Sequence, residues 1–459
     1  MMAEFTAREV LKATGGKLIH KPGGSLFTGV STDTRTIKPG NLFIALRGER
    51  FDGHEFVIPA LEKGAAGLLV SRPDVDIPQN VSVILVNDTR KALQSLARFH
   101  RQRFPIPVVA VSGSNGKTTT KEMLAAVLSS RFKVLKTEAN YNNEIGLPLT
   151  LLNLTPSHEA AVVEMGMRAR GEIRELTEIA LPTVGVVTNV GQTHIEILGS
   201  IENIALAKAE LVESIKQKDL VVLNADDDHV RRMQDKTTAR VVLYGLTSGA
   251  FVRAENIQMH AGEETVTTFD CVSPRGSFPI ILHTVGKHNV YNALAAIAVG
   301  WELGLKPNEI KSGIASFYPT EMRQAITRRG NFVVINDVYN ASPLSMKAAI
   351  ETLADVAEGR KIAVLGDMLE LGHVAAEAHR LVGEFAAEKG VDIIVTVGDF
   401  ARYIADTAQL HGVKNVMVCS NHEEAKALLK GIVKSGDSIL FKGSRGMKME
   451  KVLEVFDTI

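Results

Sequence analysis

The segment that most constrains the fold of this chain is PVVAVSGSNGKTTTKEMLAAVLSS, at residues 107–130. Val108–Ser112 is a short run of mainly β-branched apolar residues, which is typical of a buried strand. A glycine-containing turn follows at residues 113–116, and from Lys117 the apolar residues have helical spacing. A strand, a glycine-rich turn, a Gly-Lys-Thr sequence and a helix in this order predict a phosphate-binding loop (P-loop) within an α/β domain.

The chemistry of this loop is local. Glycines allow several backbone N–H groups to point at one anion, and the helix N-terminus adds partial positive charge. The Lys117 ammonium can reach the β- and γ-phosphates of a nucleotide, and the Thr118 hydroxyl can bind Mg²⁺. Val111 stands where the commoner pattern has its first glycine, so this is a variant of that pattern. The alternative is a chance Gly-Lys-Thr in an ordinary loop, which the flanking strand and helix disfavour.

Composition excludes several classes of protein. A chain of 459 residues is too long for one hydrophobic core, so two or three domains are expected. Lys plus Arg and Asp plus Glu both number 52, which argues against nucleic acid or an anionic membrane as the main partner. Cys271 and Cys419 lie far apart, so neither a disulfide framework nor a zinc site is expected. We expect no signal peptide and no membrane span, and therefore a cytoplasmic protein.

Three domains are predicted from the order of the apolar segments. Residues 1–106 form a small α/β unit, residues 107–319 a P-loop domain, and residues 320–459 a second doubly wound domain that lacks a P-loop. In the P-loop domain a parallel sheet with helices on both faces is expected, followed by a small antiparallel sheet between about residues 250 and 285. A hinge is predicted at residues 318–320. The parallel strands are predicted at residues 108–112, 133–137, 160–164, 184–188, 219–223 and 240–244, and later at 332–336, 361–365, 392–397, 415–419 and 438–442.

Three residues in the P-loop domain are placed for chemistry. Glu164 ends a buried strand, where a carboxylate is costly unless it meets a cation or donors, and the Mg²⁺ of a nucleotide is the nearest candidate. His194 follows the next strand and so reaches the same crevice. Lys208 falls in the middle of the apolar face of a helix, where it should snorkel to solvent, meet an anion or be modified. A structural ion pair for Glu164, plain exposure for His194 and snorkelling for Lys208 remain open alternatives.

Other polar positions give weaker signals. Asn289 and Asn292 begin a helix and could cap it or read a purine edge, Arg323 lies beyond the hinge within reach of phosphates, and Asp337 could bind ribose hydroxyls. The cluster at residues 31–35, Ser-Thr-Asp-Thr-Arg, is by its own chemistry a solvated turn. From the residues alone, the chain is predicted to be an ATP- and Mg²⁺-dependent phosphoryl-transfer protein with three domains.

Longer motifs resemble the Mur ligases, the cytoplasmic amino-acid ligases of peptidoglycan synthesis, over nearly the whole chain. These motifs are SGSNGKTTT at residues 112–120, EANYNNEIGLP at 138–148, EMGM at 164–167 with GEI at 171–173, AKAE at 207–210, and LGDMLELG at 365–372. They are most similar to the family member that joins D-alanyl-D-alanine to a UDP-N-acetylmuramoyl-tripeptide. A DNPR-type motif, typical of the ligase that adds the third residue, is not found in the last predicted domain.

The resemblance implies a role for each position. Lys117, Glu164, His194 and Lys208 would be catalytic. Thr118 and Glu164 would hold one Mg²⁺ and His194 a second, while Lys208 matches a lysine that the family carbamylates with CO₂, and its carbamate would orient or bind Mg²⁺. The implied ATP-binding residues are Gly113, Ser114, Asn115, Gly116, Lys117, Thr118, Thr119, Asn289, Asn292, Arg323, Asp337, Tyr339 and Asn340. The implied substrate-binding residues are Ser31, Thr32, Asp33, Arg35, Asn140, Asn142 and Asn143. The loop KGSR at residues 442–445 also matches the family, without an assigned role.

The implied reaction has two steps. The terminal carboxylate of the tripeptide attacks the γ-phosphate of ATP, and the amine of D-alanyl-D-alanine then displaces phosphate from the acyl phosphate. The expected partners are these two substrates, without nucleic acid or membrane, and the expected state is a monomer whose last domain closes about the hinge. Two alternatives remain: another ligase of this fold, such as the third-residue ligase or folylpolyglutamate synthase, or a nucleotide-switched binding protein that makes no bond.

Overall fold

A computed structural model of the chain describes residues 3–20, 26–48, 51–72, 77–78, 81–261 and 265–457. The described strands form sheets of five, nine and six strands and a two-stranded pair, and each sheet comes from its own stretch of chain. The predicted mixed α/β fold with several parallel sheets is confirmed.

The first sheet is mainly parallel and lies in the N-terminal stretch. The strands of this stretch are β1 (Glu4–Thr6), β2 (Lys17–His20), β3 (Leu26–Thr28), β4 (Val30–Ser31), β5 (Leu42–Ile44), β6 (Gly67–Val70) and β7 (Ser82–Leu85). Its helices are α1 (Ala7–Thr14), α2 (Val57–Glu62) and α3 (Thr89–Arg101), with a 3₁₀ helix at Gly53–Phe56. Strands β4 to β7 are parallel neighbours, β2 runs antiparallel to β7, and β1 pairs with β3 outside this sheet.

The second sheet carries the P-loop. Its strands are β8 (Val108–Ser112), β9 (Val134–Lys136), β10 (Ala160–Glu164), β11 (Val184–Val187), β12 (Leu220–Asn224), β13 (Arg240–Gly245), β14 (Val252–Ala261), β15 (Thr265–Ser273) and β16 (Gly276–Leu282). The helices between and after them are α4 (Lys117–Ser129), α5 (Gly146–Leu151), α6 (Glu172–Ala180), α7 (Ile195–Leu198), α8 (Ile201–Ser214), α9 (Asp228–Arg231), α10 (Lys287–Glu302) and α11 (Pro307–Ala315), with a 3₁₀ helix at Arg232–Lys236.

The strand order places the P-loop at the centre of this sheet. From one edge to the other the order is β16-β15-β14-β13-β12-β11-β8-β10-β9, so β8 lies between β10 and β11. The chain leaves β8 toward β9 and β10 on one side and later continues to β11 on the other. Ligands of parallel sheets bind beyond the carboxyl ends of the strands at such a reversal of order. The ends of β8, β10 and β11 therefore define the site.

The three antiparallel strands occur as predicted, but they continue the parallel sheet. Strand β14 pairs in parallel with the end of β13, where Tyr244 and Gly245 face Val252 and Arg253. Strands β15 and β16 then add antiparallel neighbours at the same edge. Parallel and antiparallel parts thus form one nine-stranded sheet.

The third sheet is also mainly parallel. Its strands are β17 (Ala325–Arg329), β18 (Phe332–Asp337), β19 (Lys361–Gly366), β20 (Ile393–Val397), β21 (Asn415–Cys419) and β22 (Ser438–Lys442), in the order β17-β18-β22-β19-β20-β21. Its helices are α12 (Pro343–Val356), α13 (Ala375–Glu388), α14 (Ala401–Leu410), α15 (His422–Ile432) and α16 (Glu450–Leu453), with 3₁₀ helices at Gly372–Val374, Arg445–Met447 and Glu454–Asp457. The antiparallel edge strand β17 was missed, because its sequence AITRR has only two apolar residues.

Helix α3 joins the first and second sheets. Its His100 lies 2.9 Å from the carbonyl of Leu154, and its Arg101 guanidinium donates to the carbonyl oxygens of Ala180 and Ile106 at 3.0 and 3.1 Å. Both side chains are buried. Among the described helices, none has the length and apolar character needed to cross a membrane.

Candidate active site

A cavity of about 1100 Å³ lies beyond the carboxyl ends of β8, β10 and β11 and is bounded on its far side by loops of the third sheet. It brings together most of the residues that the sequence predicted for the site. Of those, the described lining includes Ser114, Asn115, Gly116, Lys117, Thr118, Thr119, Asn140, Asn142, Asn143, Glu164, His194, Lys208, Asn289, Asn292, Arg323, Asp337, Tyr339 and Asn340. Gly113 lies in the P-loop itself, while Ser31, Thr32, Asp33 and Arg35 lie outside this lining.

The P-loop requires glycine at both of its glycine positions. Gly113 has φ +150°, and a Cβ atom there would lie 1.9 Å from Thr188 Oγ1. Gly116 has φ +79°, and its Cβ atom would lie 2.6 Å from Asn292 Oδ1. A residue with a side chain would be strained at either position, because of the positive φ and because of the close neighbour. The tight turn therefore leads directly into the N-terminus of α4, where the N–H groups of the first helical turn can point at an anion.

Lys117 is held inside this loop. Its ammonium donates to the carbonyl oxygens of Gly113 at 2.8 Å and Ser114 at 3.2 Å. A lysine ammonium has three N–H donors, so one remains for a phosphate oxygen. Burial lowers the pKa of Lys117, the Glu164 carboxylate opposes that shift, and the charge of Arg323 adds to it. Lys117, Glu164 and Arg323 thus act on one another across the cavity.

The loop after β11 fixes the P-loop from the other side. Asn189 Oδ1 accepts from the Asn115 N–H at 2.8 Å, and Ser114 Oγ donates to the Gly191 carbonyl at 3.0 Å. A residue of the third sheet's domain also takes part, since Ser342 Oγ donates to Asn115 Oδ1 at 2.9 Å. The P-loop is therefore in contact with both parts of the molecule that bound the cavity.

Glu164 ends strand β10 with both carboxylate oxygens engaged. Oε2 accepts from the Thr118 hydroxyl at 2.9 Å, and Oε1 accepts from the Asn142 amide at 2.8 Å. Asn142 was predicted to bind substrate, but in this arrangement its amide orients the carboxylate. No group of three or more His, Cys, Asp and Glu side chains is arranged to hold a metal ion in the described residues. Mg²⁺ usually takes one or two carboxylates together with waters and phosphate oxygens, so Thr118 and Glu164 fit such an ion.

Lys208 is buried in the interior face of α8 and lines the cavity. Its ammonium makes neither a hydrogen bond nor an ion pair with the described residues. Burial, with a smaller contribution from the charge of Lys117, holds the pKa of Lys208 well below its usual range. Burial thus favours the neutral amine of Lys208 over the ammonium. Snorkelling does not describe a lysine that is only 2 % exposed.

His194 contacts the third sheet's domain. Its Nδ1 lies 2.5 Å from Glu370 Oε2, and its backbone has φ +56°. Burial lowers the pKa of His194, Glu370 opposes this shift, and the charges of Lys117 and Lys208 add to it. His194 is thus in electrostatic contact with the P-loop lysine and with Lys208, as the shared crevice predicted.

The predicted adenine residues lie in a buried hydrogen-bonded network. Asn292 Oδ1 accepts from Thr120 Oγ1 at 3.0 Å, and Asn292 donates to Asn289 Oδ1 at 3.2 Å. The Asn289 amide donates to the Val285 carbonyl at 2.8 Å and lies 3.4 Å from Gln324 Oε1. These amides tie α10 to the P-loop helix and to the segment before β17, which fixes the wall of the cavity.

The third sheet's domain supplies further polar groups. Asp337 Oδ2 lies 2.5 Å from the buried ammonium of Lys442, whose second contact is the Asn340 carbonyl at 3.0 Å. Arg323 lies over the Tyr339 ring with 3.9 Å to the ring centroid. Lys442, which had no assigned role, therefore neutralises Asp337 and holds the loop that carries Asn340.

The cluster at residues 31–35 forms a turn beside the site. Ser31 Oγ donates to the Asp33 carbonyl at 3.0 Å, and Arg35 makes an ion pair with Asp33 at 2.7 Å. Arg35 is exposed and lies close enough to Tyr141 for an electrostatic interaction. The cluster therefore lies near the loop that carries Asn140, Asn142 and Asn143.

Sequence reasoning missed several residues of this arrangement. Asn189, Ser342, Gln324 and Glu370 carry hydrogen bonds or ion contacts at the site. Glu370 had a signal, because it lies in the LGDMLELG motif at residues 365–372. The partner of Lys442 was also open to prediction, because a charged residue at the end of the buried strand SILFK needs a counter-charge, as Glu164 does.

Family models match three successive parts of the chain. The model described as Mur ligase family, catalytic domain, matches residues 26–101; Mur ligase middle domain matches residues 111–300; and Mur ligase, glutamate ligase domain, matches residues 322–445. The matches follow the three sheets in order.

Individual relatives match nearly the whole chain. A UDP-N-acetylmuramoyl-tripeptide–D-alanyl-D-alanine ligase of Bacillus subtilis is 41% identical over 459 residues, which cover 99% of this chain and 98% of the relative. A crystal structure of MurF from Acinetobacter baumannii has TM-score 0.91 and 32% identity, covering 99% of both chains. MurF of Thermotoga maritima in complex with ADP has TM-score 0.84 and 30% identity, covering 94% of this chain and 97% of that one.

Proposed function

The chain belongs to the Mur ligase family, and we propose that it joins D-alanyl-D-alanine to UDP-N-acetylmuramoyl-tripeptide with consumption of ATP. The products are UDP-N-acetylmuramoyl-pentapeptide, ADP and phosphate, and the pentapeptide is a precursor of peptidoglycan. Members of this family are ATP-dependent ligases, and the Bacillus subtilis relative is named as the ligase of these two substrates.

The cavity is the observation that carries the proposal. It holds a P-loop, a strand-end carboxylate, a buried unpaired lysine and the 140–143 loop within one space. A nucleotide-switched binding protein needs the P-loop but has no use for a lysine of lowered pKa beside it. A ligase needs both, because it must phosphorylate a carboxylate and then hold the product while an amine attacks.

The residues support a two-step reaction. The terminal carboxylate of the tripeptide attacks the γ-phosphorus of ATP, the bond to the ADP oxygen breaks, and an acyl phosphate forms. The amine of the dipeptide then attacks the acyl carbon, and phosphate leaves as the amide bond closes. Lys117, with one donor free, would bind the transferred phosphoryl group, and Arg323 would add a second positive charge. The N–H groups at residues 116–119, at the start of α4, would hold the remaining phosphates.

Mg²⁺ belongs to the proposal as well. Thr118 and Glu164 would hold one ion and His194, with carbamylated Lys208, a second. When bound, the ions supply positive charge that neutralises the phosphates. The neutral amine of Lys208 would form its carbamate by attack on CO₂, with a new N–C bond and release of one proton. Carbamylation would turn the side chain of Lys208 into an anion, which could pair with the metal ions and with Lys117.

The remaining site residues are assigned by their positions. Asn289 and Asn292 would form the wall against the adenine, and Asp337, Tyr339 and Asn340 would lie toward the ribose. The UDP-sugar-peptide would run from the 140–143 loop toward residues 31–35, because Arg35 lies beside Tyr141. In this proposal residues 1–106 bind the UDP substrate, residues 107–319 bind ATP and residues 320–459 complete the ligase site. We further propose a monomer, since all assigned residues come from one chain, acting in the cytoplasm where ATP is available.

The test is a reaction of the purified protein with ATP, Mg²⁺, UDP-tripeptide and D-alanyl-D-alanine. The expected result is UDP-pentapeptide and ADP in equal amounts, identified by mass spectrometry. In parallel reactions, diaminopimelate or lysine replaces D-alanyl-D-alanine. UDP-N-acetylmuramoyl-dipeptide replaces UDP-tripeptide in the same reactions, as the third-residue ligase requires. Phosphate release without an amide product would refute the ligase proposal, and product only in the parallel reactions would favour the third-residue ligase.

A further inference from the structure

The dipeptide substrate carries two opposite charges, and the cavity must meet both of them. Its amine is protonated in solution and its carboxylate is ionised, so a matching site needs an anion and a cation that a ligand can reach. The domain that carries the third sheet lines one side of the cavity, opposite the P-loop. Its charged side chains are therefore the candidates.

Glu370 is the available anion on this side. The described cavity-lining carboxylates of this domain are Asp337, Glu351 and Glu370. Asp337 faces Lys442 at 2.5 Å, and Glu351 faces Lys389 at 3.4 Å. Glu370 has no lysine or arginine partner among the described residues; its ionic contact is His194, at 2.5 Å. The carboxylate is 44% exposed, so a ligand can reach it.

The backbone at Glu370 is also held in an unusual conformation. Its φ is +62°, in the left-handed region that non-glycine residues adopt at a cost. Its carbonyl accepts from the Glu196 N–H at 3.4 Å, which docks the 367–371 loop on the residues after His194. The loop thus presents a carboxylate directly beside the P-loop domain.

Arg445 is the available cation. It lines the same cavity, its side chain is 53% exposed, and its ion pair is with Glu450 at 3.0 Å. Of the other cavity-lining cations of the domain, Lys442 is buried against Asp337. Arg323 lies over the Tyr339 ring, and Lys347 lies 5.5 Å from the centroid of the Phe385 ring, so both retain their charge. Arg445 is distinguished from them because its loop is bonded to the loop of Glu370. A guanidinium can bind a carboxylate through two parallel N–H donors while Glu450 retains another.

The loops of Glu370 and Arg445 form one unit. The Leu369 N–H donates to Ser444 Oγ at 2.9 Å, and the Ser444 N–H donates to the Asp367 carbonyl at 3.0 Å. The residues directly before Glu370 and Arg445 are therefore bonded to each other. An anion and a cation on two joined loops form a site for a small zwitterion.

We propose that Glu370 and Arg445 bind the two ends of D-alanyl-D-alanine, with the ammonium at Glu370 and the carboxylate at Arg445. This inference rests on the proposed function. It orients the amine toward His194 and the P-loop, where the acyl phosphate forms, and directs the carboxylate away from the phosphates. Both residues then determine specificity for a dipeptide with free termini.

Glu370→Gln tests the ammonium site. The KM for D-alanyl-D-alanine is expected to rise about tenfold or more, as for loss of a charged hydrogen bond. Formation of the acyl phosphate, read as UDP-tripeptide-dependent exchange of label between ADP and ATP, should stay within about twofold of wild type. Hydroxylamine, which is largely uncharged at neutral pH, should trap the acyl phosphate equally in both proteins. Glu370→Asp should recover part of the affinity for the dipeptide.

The matched control is Glu377→Gln, because Glu377 follows the same loop, is exposed and pairs with Arg380 at 3.4 Å outside the cavity lining. Its KM values should equal those of wild type. A Glu370→Gln KM within about twofold of wild type would overturn the ammonium site. Exchange that falls as far as ligation would also overturn it, because Glu370 would then act through His194 and domain contact.

Arg445→Gln tests the other end with D-alanyl-D-alaninamide, which lacks the carboxylate. Wild type should prefer the free dipeptide to the amide about tenfold or more, and Arg445→Gln should lose this preference, while Arg445→Lys keeps part of it. An undiminished preference in Arg445→Gln would overturn the carboxylate site. Wild type that makes no pentapeptide at all would instead refute the proposed function, so the two failures are distinguishable.

Discussion

Lys208 shows how one side chain connects the sequence with the chemistry of the site. An ammonium on the apolar face of a helix is costly, and this was visible from its position among Ile204, Leu211 and Val212. The structure adds that the lysine is buried, has no described partner and is kept toward its neutral form by burial and by Lys117. A neutral amine is the form that reacts with CO₂, so the cost of burial is also the condition for modification.

Lys208→Ala should lower kcat about 100-fold or more, because an anionic group would be missing from the site. Short carboxylates such as acetate or formate should restore part of the activity by occupying the vacated space. The measurement is pentapeptide formation over a range of carboxylate concentrations. Lys216→Ala, at an exposed position after α8, is the control and should behave as wild type in both conditions. Absence of rescue would leave carbamylation unsupported.

Asn142→Ala distinguishes two roles for one amide. Because Asn142 donates to Glu164 Oε1 at 2.8 Å, its loss should loosen the carboxylate that is proposed to hold Mg²⁺. We expect activity to fall about 10- to 100-fold, with a higher Mg²⁺ concentration at half-maximal rate and an unchanged KM for UDP-tripeptide. Asn153→Ala, which removes an exposed amide on the Leu149 carbonyl, serves as control. A raised KM for UDP-tripeptide with unchanged Mg²⁺ dependence would return Asn142 to the substrate-binding role that the sequence predicted.

At the scale of strands and helices, local sequence carried most of the information. Most predicted parallel strands are short apolar runs, and burial on both faces makes such a run visible without knowledge of its neighbours. The edge strands β9 and β21 are less buried and were found by their place in the alternation of strands and helices. The edge strand β17 was missed because an edge needs few apolar residues. The pairing of β14 with β13 was not predicted, because the sequence of a strand does not show which other strand it pairs with.

The partners of polar side chains were the least predictable part of the site. Glu164, His194 and Lys208 were found because each follows or interrupts an apolar pattern. Glu370 and Ser342 reach the site through the packing of one sheet's loops on another, so their contacts with His194 and Asn115 are not given by any local pattern, although Glu370 lies within the LGDMLELG motif. Asn142 lies in the predicted loop and lines the cavity, but its hydrogen bond to Glu164 was not predicted, because a motif locates a loop without the direction of its amides.

Helix α3 provides a prediction about acid stability. His100 is buried between the rings of Phe5 and Phe104 and faces the Leu154 carbonyl, and burial lowers its pKa to about 4. In the unfolded chain the imidazole has a pKa of about 6.5, so the unfolded state binds the proton first. The contribution of the neutral imidazole to stability is therefore fully present above about pH 6.5. It is lost as the pH falls toward 4, which lowers the free energy of unfolding by about 3 kcal/mol.

His100→Gln removes this titration while an amide can still donate to the Leu154 carbonyl. The Tm of wild type should fall more between pH 7 and pH 5 than the Tm of His100→Gln. His411→Gln, which replaces an exposed imidazole in the third sheet's domain, is the control and should retain the wild-type pH dependence. Equal losses of Tm in wild type and His100→Gln would show that His100 does not set the acid sensitivity.

At the scale of the whole molecule, the three sheets are joined unequally. The first and second are connected by the buried side chains of α3, including the hydrogen bonds of Arg101 to the Ala180 and Ile106 carbonyls. The third is connected by the segment between α11 and β17 and by contacts across the cavity, such as Ser342 with Asn115. Cavity contacts compete with ligands for the same groups, whereas the contacts of α3 do not. The third sheet's domain is therefore the part expected to move.

The segment that connects the second and third sheets is held in shape by contacts at the cavity. It contains Met322 and Gln324 with φ of +64° and +50°, and non-glycine residues hold such values only when neighbours fix them. Gln324 is fixed by its N–H on Asp337 Oδ1 at 3.2 Å and by its side chain near His288. Ligands that bind Asp337 or the P-loop would act on these same contacts, which couples occupancy of the cavity to the angle between the domains.

We therefore expect closure of the third sheet's domain when an ATP analogue and both substrates are bound. Small-angle scattering should record a smaller radius of gyration for the complete mixture than for the protein alone, because closure brings the third sheet's domain toward the other two. Lys117→Met removes the ammonium proposed to bind the γ-phosphate. It should show a smaller change in the radius of gyration with the same ligands, which would tie the change to nucleotide binding. A radius of gyration that is unchanged in wild type with all ligands present would exclude closure, and the reaction would then occur in the cavity as it stands.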